Sequence, residues 1–356
     1  MRQDTNYAYA VARIKVLENK LLKSSDLDAL LSTDPVSLVD SLAAFGYPSS
    51  NRVLSEADDI DSQDILTSYT EKLSDYFADT VRSVMTFSPE PEVLSCFLIP
   101  ADYNNLKICV KTIANYREDI DNDLPALSKN GNVDPESLWN AFIKNDFSAI
   151  DPVISSAARS ALKEFSTSGN SKNSDILIDK ACFEAMSNAV SKGCFLTKRS
   201  MRKYLSAYAD WKNLLAAMRI AKTGGNIELM NKAYLSGNID KGHFIDIISG
   251  KTAPFYGTRY YEFLDSAIAS KHDAKHDVSD FSFLEQLSDA YIYGQLIKDR
   301  NEPYRINAIL AYIAERKREL SAVRLIVVGK RANLSNDEIA KMIDEYNFAI
   351  RFIEGV

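Results

Sequence analysis

Asp134-Pro135-Glu136-Ser137-Leu138 has the order of residues that starts a helix. The Asp134 side chain can accept a hydrogen bond from the free amides of a first helical turn, and Pro135 follows where a missing N–H costs nothing. Similar starts recur at intervals of 100, 106 and 95 residues, at Asp34, Asp134, Asp240 and Ser335. Ser335 and Glu338 also have the spacing of a capping box. This recurrence predicts one structural unit that is built about three times.

A second pattern interleaves with these helix starts. Asp102-Tyr103-Asn104-Asn105-Leu106 returns 108 residues later as Asp210-Trp211-Lys212-Asn213-Leu214, and a weaker form begins at Glu319, another 109 residues along. An acidic residue and an amide three positions apart lie on one face of a helix. Because an enzyme rarely needs its catalytic pair once per repeat, we expect these side chains to tie helices together by hydrogen bonds.

Apolar residues recur at helical spacing between these patterns. Ala10, Ile14, Leu17 and Leu21 form such a stripe near the start of the chain, and 306–328 has the pattern of one long helix. Strand signals are sparse. The sequence therefore predicts an all-α fold of three similar subdomains. We place them at 1–130 with the N-terminal helix, 131–236, and 237–356 with a C-terminal cap helix. Because the array begins and ends in half-units, it could close on itself.

Composition limits the classes of function. The 356 residues carry a net charge of −7 with a pI near 5.2, whereas binding to nucleic acid or anionic lipid requires a basic surface. No run approaches the roughly 18 apolar residues of a membrane span, and the first residues lack a signal-peptide pattern. The four cysteines form no C-x-x-C pair, which favours reduced, buried thiols. We expect a cytoplasmic protein with no direct membrane span and no nucleic-acid partner.

Two short motifs resemble chemical sites, and each has a simpler interpretation. Ser249-Gly250-Lys251-Thr252 resembles the end of a phosphate-binding loop, but Ile245 stands where that loop needs glycine, so Gly250 is predicted to end a helix. His272 and His276 have the spacing of two metal ligands on a helix. Their surroundings favour a solvated loop instead. We predict no catalytic residue, cofactor or metal.

Two stretches are candidates for partner contacts. The segment before the C-terminus is rich in basic residues, and an aromatic-rich cluster begins at Phe255. Both compositions also occur in ordinary helix faces and cores, although arginine and aromatic residues are favoured at interface hot spots. The candidate interface residues are Arg316, Lys317, Arg318, Arg324, Lys330, Arg331, Tyr256 and Arg259.

Three segments together resemble a known family, the C subunits of the A-type and V-type ATP synthases of archaea and bacteria, which are counterparts of the d subunit in the vacuolar proton pump. The first runs from Tyr7 to Glu18 as YAYAVARIKVLE, and the second is Asp102-Tyr103-Asn104-Asn105-Leu106-Lys107. The third begins as LIVVGKR at Leu325 and continues through Ser335 to Ile339. The similarity covers essentially the whole chain. Asn333 departs from the glycine that is common in the family, but asparagine tolerates a left-handed backbone.

The resemblance implies an all-helical protein of three subdomains around a pseudo-threefold axis, forming a funnel without an active site. Such a subunit sits on the cytoplasmic mouth of the membrane rotor ring and receives the foot of the central shaft, one copy per complex. It couples ATP turnover to proton or sodium transport through rotation. Charge reversal at Arg316, Lys317 and Arg318 would then weaken binding to the shaft or the ring.

Two other interpretations stay open at this point. One is an all-helical adaptor or scaffold that binds an unrelated partner, which co-purification would separate from a rotary ATPase subunit. The other is an all-α enzyme or metalloprotein that uses His272, His276 and nearby carboxylates, which calorimetry with metal ions would reveal.

Overall fold

The computed structural model describes residues 5–35, 37–48, 62–115, 125–269, 281–297, 300 and 305–354. These residues form α-helices joined by turns, with a single 3₁₀ turn at Ser95–Phe97 and no strand within the described ranges. The predicted all-α fold class is therefore confirmed. Within the same ranges, no helix combines the length and apolarity of a membrane span.

The chain divides into two compact units. Unit 1 comprises Met1–Pro89 and Arg259–Val356, and unit 2 comprises Glu90–Thr258. The helices of unit 1 are α1 Thr5–Glu18, α2 Ser24–Ser32, α3 Leu38–Ala44, α4 Ser62–Met85, α13 Tyr261–Ala269, α14 Phe281–Ile297, α15 Asn307–Arg331 and α16 Asn336–Glu354. The helices of unit 2 are α5 Pro91–Leu94, α6 Ile99–Asn115, α7 Pro135–Lys144, α8 Pro152–Ser168, α9 Ser171–Ser191, α10 Phe195–Lys222, α11 Ile227–Ala233 and α12 Lys241–Ile248.

Helix α15 is the centre of unit 1. It contacts α1, α2, α4, α14 and α16, and most of its side chains are buried. One shared core joins α2, α3, α4 and α15, and it includes Leu38, Tyr69 and Val323. Helices α15 and α16 lie close together at Gly329, since a Cβ there would lie 2.5 Å from the Ile339 side chain of α16. A larger residue at this position would push the two helices apart.

Unit 2 packs around two long helices. Helix α9 contacts α6 and α8, and α10 contacts α11 and α12. Trp211 of α10 is fully buried and tilts against Phe255, with ring centroids 5.4 Å apart. Phe244 of α12 is also fully buried. Burial of aromatic side chains of this size contributes a large part of the hydrophobic stabilisation of a unit.

Three sets of helices share one order along the chain. Each set begins with a short helix, namely α2, α7 or α12, and ends with a helix that bears the acidic residue of the second pattern, namely α6, α10 or α15. The predicted start at Asp34 differs from this order. The first short helix begins at Ser24, and the helix after Asp34 is α3, which begins only at Leu38. The boundaries of three subdomains stay a prediction.

The turn at Asn333 has a left-handed backbone, with φ of 55°. This turn joins α15 to α16, and the Asn333 amide donates to the Lys330 carbonyl at 3.1 Å. Asparagine is one of the few residues that adopt this region at low cost. The residue that departs from the family pattern therefore still forms a helix-ending turn.

Candidate functional site

The Asp102 carboxylate of α6 is 2% exposed and holds the turn that precedes α7. It accepts hydrogen bonds from the Val133 amide at 2.9 Å and the Asn132 amide at 3.0 Å. The Asn132 side chain adds a third bond at 3.2 Å. One buried carboxylate thus satisfies two backbone donors that lie directly before a helix start, where intrahelical partners are lacking.

Asn105 holds the same loop one helical turn further along α6. Its side-chain amide donates to the Ser128 carbonyl at 2.7 Å, and its carbonyl accepts from the Ser128 amide at 2.9 Å. Between these contacts Gly131 passes so close that a Cβ would lie 1.9 Å from an oxygen of Asp102. Glycine is required here for space. We call this arrangement the first clamp.

The second clamp, on α10, repeats this geometry. Asp210 accepts from the Asn238 amide at 2.8 Å, the Ile239 amide at 3.0 Å and the Asn238 side chain at 3.3 Å. Asn213 exchanges two bonds with the Leu235 backbone, at 2.7 and 3.0 Å. A Cβ on Gly237 would lie 2.1 Å from Asp210. The turn that is held leads into α12.

Glu319 of α15 forms a third clamp with different partners. It accepts from the Leu22 amide at 3.2 Å, and Leu22 lies in the turn before α2. It also accepts from the Tyr47 hydroxyl and pairs with Arg316 at 2.6 Å. Arg316 and Glu319 are 4% and 6% exposed. Burial raises the pKa of Glu319, while Arg316, Tyr47 and Leu22 all favour the charged form.

The clamps are suited to bracing rather than to proton transfer. Asp102 and Asp210 receive backbone donors from neighbouring turns, and those bonds are satisfied without any substrate. Charge-assisted bonds of this kind are about twice as strong as neutral ones. Each clamp joins one long helix, namely α6, α10 or α15, to the turn before a short helix.

The predicted helix starts have separate caps. Asp134 accepts from the Ser137 amide and hydroxyl, both at 2.8 Å, and these bonds lower the pKa of Asp134. Asp240 accepts from the Gly242 amide at 2.8 Å. Ser335 and Glu338 exchange the two bonds of a capping box. Asp34 accepts from the Ser37 amide at 3.0 Å, one residue before α3 begins.

Three of the basic candidate residues lie within one turn of α15 but differ in environment. Arg316 is buried, as described above. Lys317 is half-buried with its ammonium 5.2 Å from the Phe77 ring centroid, and burial lowers its pKa. Arg318 pairs with Glu315 at 3.1 Å, and its side chain is 37% exposed. Of these three, Arg318 is the one available to a partner.

The other basic candidates lie nearer the C-terminal end of α15. Arg324 is exposed and donates to Ser74 at 2.5 Å and to the Thr70 carbonyl at 3.1 Å. Lys330 donates to the Leu31 carbonyl at 2.6 Å, which ties α15 to the end of α2. Arg331 is exposed at the last residue of α15.

The aromatic-rich cluster is partly core and partly surface. Phe255 and Tyr260 are buried, whereas Tyr256 is 65% exposed. Arg259 is exposed, with its guanidinium carbon 5.9 Å from the Tyr260 ring centroid. Tyr256 and Arg259 are therefore the two candidate residues of this cluster that retain exposed surface.

Sequence reasoning missed contacts that join distant segments. Tyr47 and Leu22 gave no signal as partners of Glu319. Glu90 binds the start of α10, accepting from the Cys194 amide and the Thr197 hydroxyl, both at 2.5 Å. Neither pairing has a spacing that a sequence pattern could indicate.

The cysteines differ in exposure. Cys96, Cys109 and Cys182 are buried free thiols, and burial raises the pKa of both Cys109 and Cys182 to about 12. Cys194, in contrast, is exposed, so the expectation of burial was wrong there. It is the N-cap residue of α10, and Phe195, the first residue of that helix, is 78% exposed.

Of the two motifs that resemble chemical sites, only the one around Gly250 lies within the described residues. Gly250 lies just after α12 with φ of 70°, as a helix-ending glycine does, and Lys251 pairs with Asp246 at 3.4 Å. His272 and His276 lie outside the described residues. Within the described ranges, no three His, Cys, Asp or Glu side chains are grouped as a metal site requires.

Comparisons with known proteins agree on one family. The model of the ATP synthase (C/AC39) subunit family matches residues 10–342. The C subunit of the V-type ATP synthase of Deinococcus radiodurans is 22% identical over 363 residues, which cover 95% of this chain and 91% of that protein. The C subunit of the A-type ATP synthase of Halorubrum lacusprofundi is 24% identical over 204 residues, about half of each chain.

Proposed function

Because the chain belongs to the ATP synthase (C/AC39) subunit family, we propose that it joins the central shaft of an A-type or V-type ATPase to the membrane rotor ring. It is a non-catalytic stalk subunit. Through it, rotation would link ATP turnover in the soluble head to transport of protons or sodium. We place it on the cytoplasmic side, held at the membrane by the complex, with one copy per complex.

The observation that carries this proposal is the family match together with the repeated clamps. A part that transmits torque must resist bending at its helix joints. Asp102 and Asp210 each fix a joint with bonds from a backbone turn, and Glu319 fixes a third with a buried ion pair. Buried, satisfied polar networks of this kind make a structure rigid.

The proposal includes three subdomains arranged as a funnel, at 1–130, 131–236 and 237–356. The order of the clamps supports it. Helix α6 holds the turn before α7, α10 holds the turn before α12, and α15 holds the turn before α2. The last helix of the third set thus holds the start of the first set, as a closed arrangement requires.

Reconstitution tests the proposed coupling. In membranes that contain the remaining subunits of the ATPase, we expect ATP hydrolysis to continue without this chain, while ATP-driven ion uptake is lost. Adding the purified chain back should restore uptake. Full ion pumping in its absence would contradict the proposal.

The rival interpretation, a helical adaptor for an unrelated partner, predicts a different result in cells. Affinity purification of the tagged chain should recover shaft and ring subunits if the proposal is correct. Recovery of a different stable partner, with neither of these, would favour the adaptor.

A further inference from the structure

Helix α10 begins with two exposed apolar side chains. Phe195 is 78% exposed and Leu196 is 41% exposed, although both are large hydrophobic residues. Single exposed apolar residues are common on protein surfaces, whereas neighbouring ones with a polar rim mark contact surfaces for a protein or a membrane. The start of α10 is therefore a candidate contact surface of unit 2.

The sequence around this apolar pair is strongly basic. Between positions 185 and 209 the chain has five lysine or arginine residues and no aspartate or glutamate. All five are exposed, namely Lys192, Lys198, Arg199, Arg202 and Lys203. Glu90 brings one carboxylate to this helix start, where it accepts from the Cys194 amide. The surface therefore keeps a net positive charge within a chain whose net charge is −7.

The apolar and basic residues follow one another along the same face of α10. Phe195, Arg199 and Arg202 have the spacing i, i+4 and i+7, whereas Thr197 and Met201 are buried on the opposite face. At a rise of 1.5 Å per residue, Arg199 lies about 6 Å behind Phe195 along the helix axis, and Arg202 about 10 Å behind it. Because helical side chains lean towards the N-terminus, both arginines are inclined towards the apolar end.

These spacings match the polar layer of a lipid bilayer. The hydrocarbon core is about 30 Å thick within a total of about 40–45 Å, so each polar layer is about 5–8 Å deep. With Phe195 at the edge of the hydrocarbon, the side chains of Arg199 and Arg202 lie at the level of the phosphates. An acidic protein surface would match the charges, but it would also need a preformed pocket for Phe195 and Leu196. A fluid lipid layer accepts both kinds of side chain without one.

We propose that this surface docks on an anionic phospholipid bilayer, and we call it the α10 patch. Its members are Phe195, Leu196, Lys192, Lys198, Arg199 and Arg202. The apolar pair enters the boundary between headgroups and acyl chains, and the basic residues bind the lipid phosphates. The patch contributes nothing to binding of isolated protein subunits. The proposal goes beyond the coupling function and requires no other ATPase subunit, so a failure of ion coupling would leave it unaffected.

Sedimentation with lipid vesicles tests the proposal on the purified chain. At about 0.1 M salt, we expect vesicles with about one-third phosphatidylglycerol to bind the chain at least about tenfold more tightly than pure phosphatidylcholine vesicles. Raising the salt to about 1 M shortens the screening length from about 10 Å to about 3 Å, so the binding should weaken by at least about tenfold. Equal binding to the two kinds of vesicle would overturn the proposal.

Two double variants separate the charged and apolar contributions. Arg199→Gln with Arg202→Gln should weaken binding to the anionic vesicles at least about tenfold, because each basic residue near such a surface strengthens binding about fivefold. Phe195→Ser with Leu196→Ser should weaken it to a similar extent, because the apolar insertion is lost. Native binding by either double variant would overturn the proposal.

Matched controls change exposed residues elsewhere in unit 2. Lys163→Gln with Lys172→Gln removes two basic side chains, and Val153→Ser with Ile227→Ser removes two apolar ones. Both controls should bind the anionic vesicles within about twofold of the native chain, because their residues lie outside the α10 patch. Circular dichroism confirms that each variant is folded.

The variant Phe195→Trp reports insertion directly. The two native tryptophans, Trp139 and Trp211, are buried, so an indole at the exposed position gives the change in fluorescence. We expect its emission to shift to shorter wavelength with anionic vesicles, because the ring leaves water. Absence of this shift would overturn the proposal. A shift with polyglutamate but not with vesicles would replace the lipid with an acidic protein partner.

Discussion

At Asp102 one side chain determines the path of a whole loop. Its carboxylate holds Asn132 and Val133, and the space it occupies allows only glycine at 131. The sequence predicted the hydrogen-bonding role of the Asp-x-x-Asn pair from its repetition. The partners could not be predicted, because they lie about 30 residues further along and are backbone amides, which carry no residue identity. Tyr47 contacts Glu319 through its side-chain hydroxyl, but it lies 272 positions away, a separation that no sequence pattern links.

Removing the Asp102 carboxylate should destabilise unit 2. In Asp102→Ala, the part-buried amides of Asn132 and Val133 lose their acceptor, so we expect the free energy of unfolding to fall by about 2 kcal/mol. Urea unfolding followed by circular dichroism measures the change. The matched control is Glu184→Ala, at an exposed carboxylate of α9, which should change stability by less than about 0.5 kcal/mol. Equal effects of the two variants would mean that the first clamp contributes nothing.

At the scale of elements, the existence of the helices was predictable, whereas the position of each short helix relative to its aspartate was not. Asp134 and Asp240 each cap a short helix, as their patterns indicate. Asp34 has the same pattern but stands before α3, whereas the short helix whose preceding turn is held by Glu319 is α2. Helix α2 has a lysine, Lys23, at its N-cap position, and Asp26 in its first turn accepts from the Lys23 amide at 2.8 Å. A cap pattern therefore indicates where a helix begins, but it does not indicate which turns a distant side chain holds.

The cap at Asp134 should make the stability of α7 depend on pH. Bonds from Ser137 lower the pKa of Asp134 in the folded chain, so the cap stabilises the fold above the ordinary aspartate pKa. This stabilisation is lost as the pH falls through the lowered value. We therefore expect Asp134→Ala to be less stable than the native chain at pH 7, with the difference shrinking below about pH 4. Urea midpoints across this range measure it.

Asp134→Asn serves as the control for this titration. Asparagine keeps an acceptor for the Ser137 amide and does not ionise. The stability of the Asp134→Asn variant should therefore lack this acid-dependent component. If the difference in stability between Asp134→Ala and the native chain stayed constant down to acid pH, the charge of the carboxylate would not contribute to the cap.

At the scale of the whole molecule, the net charge of −7 coexists with a basic end of α15. Composition could indicate this stretch but could not sort its members, because exposure depends on what packs against each face. Arg316 belongs to the buried clamp, whereas Arg318 and Arg331 retain exposed side-chain surface. A docking face for an acidic partner would use the second group.

Charge reversal at these two positions tests the docking face. Arg318→Glu with Arg331→Glu should weaken binding to the isolated shaft or ring subunits, mainly through a slower association at low salt. Surface plasmon resonance at two salt concentrations measures the rates. The control is Lys198→Glu with Arg199→Glu, two exposed residues of α10. Unchanged association at low salt would remove Arg318 and Arg331 from the interface.

The hydrogen bond between Glu319 and Leu22 also has a consequence for folding during synthesis on the ribosome. The two residues are 297 positions apart. Because the ribosome adds about 5–20 residues per second, Glu319 is synthesised roughly 15–60 s after Leu22. Unit 2 is continuous and is synthesised entirely within that interval. The N-terminal segment of unit 1 therefore remains without its central helix while its neighbour is already complete. Premature termination before α15 would release a chain with one finished unit and one exposed half-core.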